Sequence, residues 1–295
     1  TSYHSALLAK HIFEKMAKMR VETVISSEFQ YVLDLIDDNS VILAISQSGE
    51  TADVLNSVKL AKELGTKILS IVNISTSSLA RISDSFLTVN CGPEIGVAAT
   101  KSFTGQLSVF YTILDKLSQG VIGIKNLQHT ITSSIQALLL GEEQIIKIAG
   151  LLKDINDIYI LGRSLHFPVA LEGALKIKEL TYVHAEGMAA GEIKHGRLAL
   201  IDNNSIVVVI NPTDNTYDDI LSSARELRSR GATIIGISDK SDEAYDHFIR
   251  LPNLVSILYP LIEIIPLQLL AYYLALRKNI DPDYPRNLAK SVTVK

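Results

Sequence analysis

Val41-Ile42-Leu43-Ala44-Ile45-Ser46-Gln47-Ser48-Gly49-Glu50-Thr51 leads from a five-residue apolar run into a hydroxyl-rich turn, and a helical pattern follows. An apolar run of that length bounded by polar turn residues reads as a buried strand. The turn then stands at a helix start, where the first backbone N–H groups lack intrahelical partners and the macrodipole is positive, so a phosphate or carboxylate is favoured there. Ser46, Ser48 and Thr51 add hydroxyl donors, Gln47 adds an amide, and Gly49 lets the chain approach closely without a Cβ. No lysine lies in the turn, which excludes the nucleoside-triphosphate loop ending in Gly-Lys-Ser/Thr. A monophosphorylated small molecule suits it better, and on this turn alone a simple helix cap is an equal alternative.

Outward from this stretch the chain repeats itself. Asn39-Ser40-Val41-Ile42-Leu43-Ala44-Ile45 is similar to Asn204-Ser205-Ile206-Val207-Val208-Val209-Ile210, and each run ends in a polar turn closed by Thr51 or Thr216. Ala61 to Ile68 is similar to Arg225 to Ile234, each a helix end, a Gly C-cap and a new strand. Thr1-Ser2-Tyr3-His4 pairs with Arg163-Ser164-Leu165-His166. Two copies of one α/β unit follow. Further β-branched runs stand at Ile68 to Val72 and Phe86 to Val89, and at Ile158 to Leu161, Ile234 to Ile237 and Phe248 to Leu251. Near-continuous apolar strands joined through helices predict doubly wound parallel sheets covered by helices on both faces, with ligands beyond the carboxyl ends of the strands. The expected organisation is a first domain over 1–124, connecting helices over 125–148, a second domain over 149–285 and a tail over 286–295. Copy two has a strand, Ile158 to Leu161, ahead of its Arg163-Ser164 turn; copy one begins at Thr1 without one. The first sheet is therefore expected to lack a strand, or the parent polypeptide to continue upstream, which the native reading frame tests.

Composition excludes several classes. With 28 Lys and Arg against 32 Asp and Glu the net charge is -4, which leaves no electrostatic footprint for nucleic acid. The single Cys91 cannot form an intramolecular disulfide framework and points to a reducing, cytoplasmic compartment. It has no adjacent cation to activate it and reads as structural. Leu254 to Leu276 is the nearest approach to a membrane span, but Pro260, Glu263, Pro266 and Gln268 interrupt it.

A charged stripe marks the second copy. Ala170 to Leu180 reads as a buried helix with Glu172, Lys176 and Glu179 on one face among Leu171, Gly173, Ala174, Leu175 and Ile177. A stripe of alternating charge is ordinarily a solvated face; apolar and small neighbours instead predict a packed crevice. Glu186, Glu192, Lys194 and His195 cluster around the Gly-rich stretch Gly187 to Gly196, and His195, flanked by Lys194 and Gly196, reads as an irregular loop. No metal-ligand spacing emerges, so neither a metal nor a cofactor is assigned. His4, His11, His129, His166 and His247 have no constellation in sequence, and Ser48 lacks a nucleophile-elbow context.

These residues together resemble the isomerase module of the glutamine:fructose-6-phosphate amidotransferase (glucosamine-6-phosphate synthase) family, which is built from two tandem sugar-isomerase (SIS) domains. The resemblance rests on Ser46 to Thr51, Glu94-Ile95-Gly96-Val97-Ala98-Ala99-Thr100-Lys101, Ala170-Leu171-Glu172-Gly173-Ala174-Leu175-Lys176, Gly191 to Gly196, and the terminal Pro285-Arg286-Asn287-Leu288-Ala289-Lys290-Ser291-Val292-Thr293-Val294. It implies fructose 6-phosphate as substrate, with Ser46, Gln47, Ser48, Thr51 and Ser2 on its phosphate and Val97 and Ala289 at the sugar. It implies ring opening by His195 from a neighbouring subunit of a homodimer, and a Schiff base between Lys290 and the C2 ketone. Glu179 then moves the proton between C1 and C2, assisted by Glu172 and Lys176.

Each implied role has a physical reason. Proton abstraction beside a carbonyl needs a positioned base, which a carboxylate in an apolar crevice supplies. A Schiff base needs a neutral amine, so Lys290 should be desolvated or placed near another cation such as Lys176. Residues 286–290 carry no amphipathic pattern and are expected to act as a mobile arm that closes over the sugar. The family's glutaminase domain, with its terminal cysteine nucleophile, has no counterpart here because Cys91 is internal; what remains is expected to interconvert fructose 6-phosphate and glucose 6-phosphate, and to make glucosamine 6-phosphate slowly from free ammonia. In copy two Asn211-Pro212-Thr213-Asp214-Asn215-Thr216 replaces the phosphate turn, and Asp214 would repel a phosphate. Two other readings compete: a non-catalytic SIS sensor of sugar phosphate, and an SIS deglycase or deaminase acting on amino-sugar phosphates.

Overall fold

The computed structural model describes residues 1–37, 39–120 and 123–293. Val294, in the terminal signature, lies outside the described residues. Contacts divide the chain into two units, Thr1–Ile122 with Asn287–Lys295, and Gly123–Arg286.

The first unit runs through α1 (Ser2–Ile12), β1 (Val41–Ser46), α2 (Ala52–Glu63), β2 (Lys67–Val72), α3 (Ser78–Ile82), β3 (Ser85–Thr88) and α4 (Lys101–Leu117). Its sheet is parallel in the order β1-β2-β3, with Val41 opposite Lys67 and Ser46 opposite Val72. Parallel neighbours need a crossover, and the amphipathic α2 supplies it by burying Ser57, Val58 and Ala61. Ile68, Val72, Leu79 and Phe29 complete that layer. Phe29 comes from a 3-10 helix, Ser26–Leu35, which the sequence pattern did not announce.

The second unit opens with α5 (Ile124–Leu140) and α6 (Glu143–Leu151), the helices of the 125–148 segment. It continues through β4 (Asp157–Gly162), α7 (His166–Thr181), β5 (His184–Ala189), β6 (Ile206–Ile210), α8 (Tyr217–Ser229), β7 (Thr233–Ser238), β8 (His247–Arg250) and α9 (Pro260–Arg277). The sheet is parallel in the order β5-β4-β6-β7-β8, so strand order reverses at β4. Ligands gather outside the strand ends at such a reversal.

Strand β5 is not among the runs that the sequence pattern predicts. His184, Glu186 and Gly187 interrupt the apolar pattern because, among the described residues, β5 is an edge strand with only β4 beside it. A 3-10 turn, Ala190–Lys194, follows and is anchored by buried Ala190 and Ile193.

Helix α9 is long and apolar enough to cross a membrane by length and composition, but 67% of it is buried inside the protein. It is the core helix of this unit, against which α7 packs so closely that a Cβ at Gly173 would strike Leu267.

Candidate active site

In the first unit β1 delivers Ser46 to the sheet's carboxyl end, and α2 begins at Ala52 with Thr51 as N-cap. The hydroxyls of Ser46 and Thr51 are 3.0 Å apart, the Gly49 N–H donates to Ser46 Oγ at 3.1 Å, and the Glu50 N–H donates to Ser48 Oγ at 3.2 Å. Gly49 has φ of 69° and packs so tightly that a Cβ would collide with the Ser77 side chain, so only glycine fits. Glu50, the one carboxylate in the turn, accepts the Ser78 N–H at 2.7 Å; this bond holds its pKa below the usual carboxylate range and spends its charge on α3. The turn thus gathers the hydroxyls of Ser46, Ser48 and Thr51 at the start of α2. Ser2, at the start of α1, accepts a hydrogen bond from Gln106 Nε2 of α4 at 3.0 Å.

The tail is docked on this turn. Ser291 Oγ lies 3.2 Å from Ser48 Oγ, and the Ala52 N–H donates to the Val292 carbonyl at 3.2 Å. Lys290 Nζ donates to Glu94 Oε2 and to the Gly96 carbonyl, both at 2.8 Å. Its neighbour is therefore a carboxylate, where the chemistry of a neutral amine had suggested a second cation. Burial would raise the Glu94 pKa, but the Lys290 ammonium, the Thr100 N–H and the Ser102 hydroxyl together hold it below the carboxylate norm. Val97 and Ala289 flank this contact in sequence, Val97 half-buried and Ala289 exposed. Cys91 is tied to Asn73 Oδ1 at 3.3 Å, and burial and the Glu94 carboxylate push its thiol pKa up, as suits a structural thiol.

In the second unit α7 brings the expected stripe together. Lys176 Nζ stands 2.6 Å from Glu179 Oε2 and 3.4 Å from Glu172 Oε1. Glu172 and Lys176 are fully buried, whereas the Glu179 side chain is 23% exposed, so of the three it is the one open to a ligand. Glu179 is accordingly set on an ammonium instead of apolar groups alone. The stripe's other expected neighbours disperse: Glu186 pairs with Arg197 at 2.6 Å and Lys194 with Glu226 at 2.9 Å. His195 is exposed at the end of the 3-10 turn, its N–H on the Glu192 carbonyl.

The constellation missed in sequence is His166. At the start of α7, its Nδ1 lies 2.8 Å from Glu263 Oε2 and its Nε2 3.2 Å from Asp214 Oδ2, all three buried. Burial alone would lower the imidazole pKa; the Glu263 and Asp214 carboxylates overcome it and raise it to about 9. Asp214 is held down to about 2 because bonds from His166 and Thr216 outweigh its burial, while Glu263, wholly buried, is pushed up. Asp214 Oδ1 also accepts the Thr216 N–H and hydroxyl, each at 2.7 Å. The second unit's helix-start turn therefore holds an anion of its own.

The SIS domain family matches residues 1–115 and 151–278. The glutamine–fructose-6-phosphate aminotransferase (isomerizing) of Pyrococcus horikoshii is 46% identical over 301 residues, which cover 100% of this chain and 50% of that protein. The Escherichia coli enzyme of the same name is 43% identical over 308 residues, again 100% and 50%. The chain spans about half the length of the curated relatives it matches. Among solved structures, the C-terminal domain of glucosamine-fructose-6-phosphate aminotransferase from Francisella tularensis superposes with a TM-score of 0.87 at 35% identity, covering 96% of this chain and 83% of that one. A glucosamine-6-phosphate deaminase from Thermotoga maritima shares the fold, with a TM-score of 0.77 at 24% identity over 98% of this chain and 87% of that one. The chain belongs to the SIS-domain family, and within it to the C-terminal, isomerase part of the glutamine–fructose-6-phosphate aminotransferases.

Proposed function

We propose that this chain is a sugar-phosphate isomerase module that binds fructose 6-phosphate and, supplied with ammonia, forms glucosamine 6-phosphate and water. The observation that carries this reading is the docking of Lys290 and Ser291 in the first unit, where Ser291 meets Ser48 of the anion-ready turn. A lysine beside a phosphate cradle suits a phosphorylated ketose, whose carbonyl it can condense with. The sensor reading needs no such lysine.

The roles divide by chemistry. Ser46, Gln47, Ser48 and Thr51 hold the phosphate, with Ser2 as a further donor, and Val97 and Ala289 border the sugar. Lys290 condenses with the C2 ketone. Glu179, the exposed end of the α7 stripe, transfers the proton between C1 and C2; Lys176 orients it and Glu172 anchors Lys176 from the buried side. His195 of a partner subunit opens the sugar ring, which makes a homodimer the working form. The parent protein carries the glutaminase domain that supplies ammonia, and the chain works in the cytoplasm, consistent with its single free cysteine.

Lys290→Ala is expected to abolish ammonia-dependent glucosamine 6-phosphate formation while leaving sugar-phosphate binding in place, as measured by product chromatography and calorimetric titration. Retained synthesis would overturn the Schiff-base role. Product analysis starting from glucosamine 6-phosphate separates synthesis from deamination.

A further inference from the structure

The Glu94 carboxylate is 5% exposed, and both of its oxygens are engaged. Oε1 accepts the Thr100 N–H at 2.9 Å and the Ser102 N–H at 3.2 Å; Oε2 accepts the Ser102 hydroxyl and the Lys290 ammonium, each at 2.8 Å. Thr100 is the N-cap of α4, a 17-residue helix whose N-cap side chain makes no cap bond of its own. The positive end of that helix fixes Glu94, and Glu94 in turn fixes Lys290. A buried carboxylate needs this many donors to remain ionised. Lys290, 28% exposed, lies in a coil with no helical ladder to hold it, so its nitrogen stays where Glu94 and the Gly96 carbonyl put it. The next two residues are held on the neighbouring turn, Ser291 by Ser48 and Val292 by Ala52. The backbone is thus pinned on one side of Lys290 and the nitrogen on the other.

We infer that Glu94 is a positioning residue for the Lys290 amine, holding Nζ on the Glu94–Gly96 loop for attack on the sugar ketone. This rests on the Schiff-base reading of Lys290 above. In the step, the ammonium releases one proton to solvent and the nitrogen lone pair forms the N–C2 bond while the C2=O π pair moves to oxygen. A second nitrogen proton passes to that oxygen, giving a neutral carbinolamine. The oxygen then takes a proton from solvent and leaves as water, and the nitrogen lone pair closes the C=N bond. The nitrogen begins and ends with a positive charge, so an ionised Glu94 suits both the ammonium and the iminium. Its task is geometric: a misplacement on the order of 1 Å costs about 100-fold in a reaction that depends on approach.

Glu94→Gln separates holding Lys290 from capping α4. The amide oxygen can still accept the Thr100 and Ser102 N–H groups, while the amide NH2 presents donors to Nζ and expels it. The probe is borohydride trapping with fructose 6-phosphate, read by mass spectrometry as the reduced adduct on Lys290 of the whole chain. Glucitol 6-phosphate, which has no carbonyl, reports binding alone. The variant is expected to bind glucitol 6-phosphate like the parent and to form the adduct about 10- to 100-fold more slowly, with Glu94→Asp recovering part of the rate. An adduct rate in Glu94→Gln equal to the parent's would overturn the proposal and leave Glu94 a helix cap. Absence of any Lys290 adduct in the parent would instead refute the Schiff-base reading, a failure visible without the variant. Should Glu94→Gln fail to fold, as judged by its circular-dichroism melt, Ser102→Ala removes one donor from the same oxygen; a several-fold slower adduct supports the proposal and an unchanged rate overturns it.

Discussion

Strands β1 and β6 carry the same apolar pattern, Val41–Ile45 against Ile206–Ile210, and each opens through a polar turn onto a helix capped by threonine, Thr51 or Thr216. They differ on both flanks. Strand β6 lies between β4 and β7 with Val207 to Ile210 fully buried, whereas β1, among the described residues, pairs with β2 alone and leaves Val41 58% and Leu43 36% exposed. The turns differ in charge. After β1 the hydroxyls of Ser46, Ser48 and Thr51 bond to one another and to the turn's own amides, and Ser48 meets the tail; after β6 the Asp214 carboxylate fills the corresponding place and is locked by Thr216 and His166. One fold unit therefore ends either in a turn of neutral hydroxyls or in a turn that carries its own buried carboxylate, according to a few side chains. Beyond the repulsion expected of Asp214, its carboxylate already accepts the N–H and hydroxyl of Thr216, the N-cap of α8, and faces His166.

The largest expected effect tests the division of labour between the units. Glu179→Gln should lower isomerisation of fructose 6-phosphate about 10²- to 10⁴-fold, the usual worth of a positioned base, with binding unchanged in a titration. A loss of binding instead would place Glu179 with the anion-holding residues and blur the comparison.

The structural knot of the second unit is tested next by His166→Gln, which leaves the Asp214 and Glu263 carboxylates without their cation. Breaking a buried pair in this way costs about 3–5 kcal/mol, measured by denaturant unfolding. Its pH dependence has a defined sign. The folded His166 pKa is raised to about 9 from 6.5, so the stabilisation is complete below pH 6.5 and is lost as pH rises through about 9. The gap in stability between parent and variant should narrow across that window; a gap that widens would mean that His166 is buried neutral.

A smaller effect separates the two turns directly. Ser48→Ala should weaken fructose 6-phosphate binding about tenfold, the worth of one hydrogen bond to a charged group. Thr213→Ala, in the turn after β6, should leave it unchanged. Equal losses at both positions would erase the distinction between the copies.

Much of this was legible in the sequence because its signals are local. The β-branched runs, the Gly C-caps and the duplicated turn are read within a few residues of one another, and the i, i+4, i+7 spacing on α7 placed Glu172, Lys176 and Glu179 on one face. What escaped depends on distance along the chain. His166 finds its partners 48 and 97 residues away, and Lys290 finds Glu94 at a separation of 196, intervals over which no periodicity speaks. Strand β5 was obscured for a different reason: an edge strand tolerates His184, Glu186 and Gly187, so its pattern lacks the continuous apolar run of β6. The ion pairs of Lys194 with Glu226 and Arg197 with Glu186 dissolved the supposed cluster around His195, because residues close in sequence on a strand and a turn need not face one another.

The central claim is that the first unit alone carries an open phosphate site. A crystal structure of the chain soaked with fructose 6-phosphate measures it most directly. One phosphate per chain, within hydrogen-bond distance of Ser46, Ser48 and Thr51 and with the Asp214–His166 pair undisturbed, is the predicted result. A phosphate seated against Thr216 in the turn after β6, or none on the Ser46–Thr51 turn at saturating ligand, would contradict it.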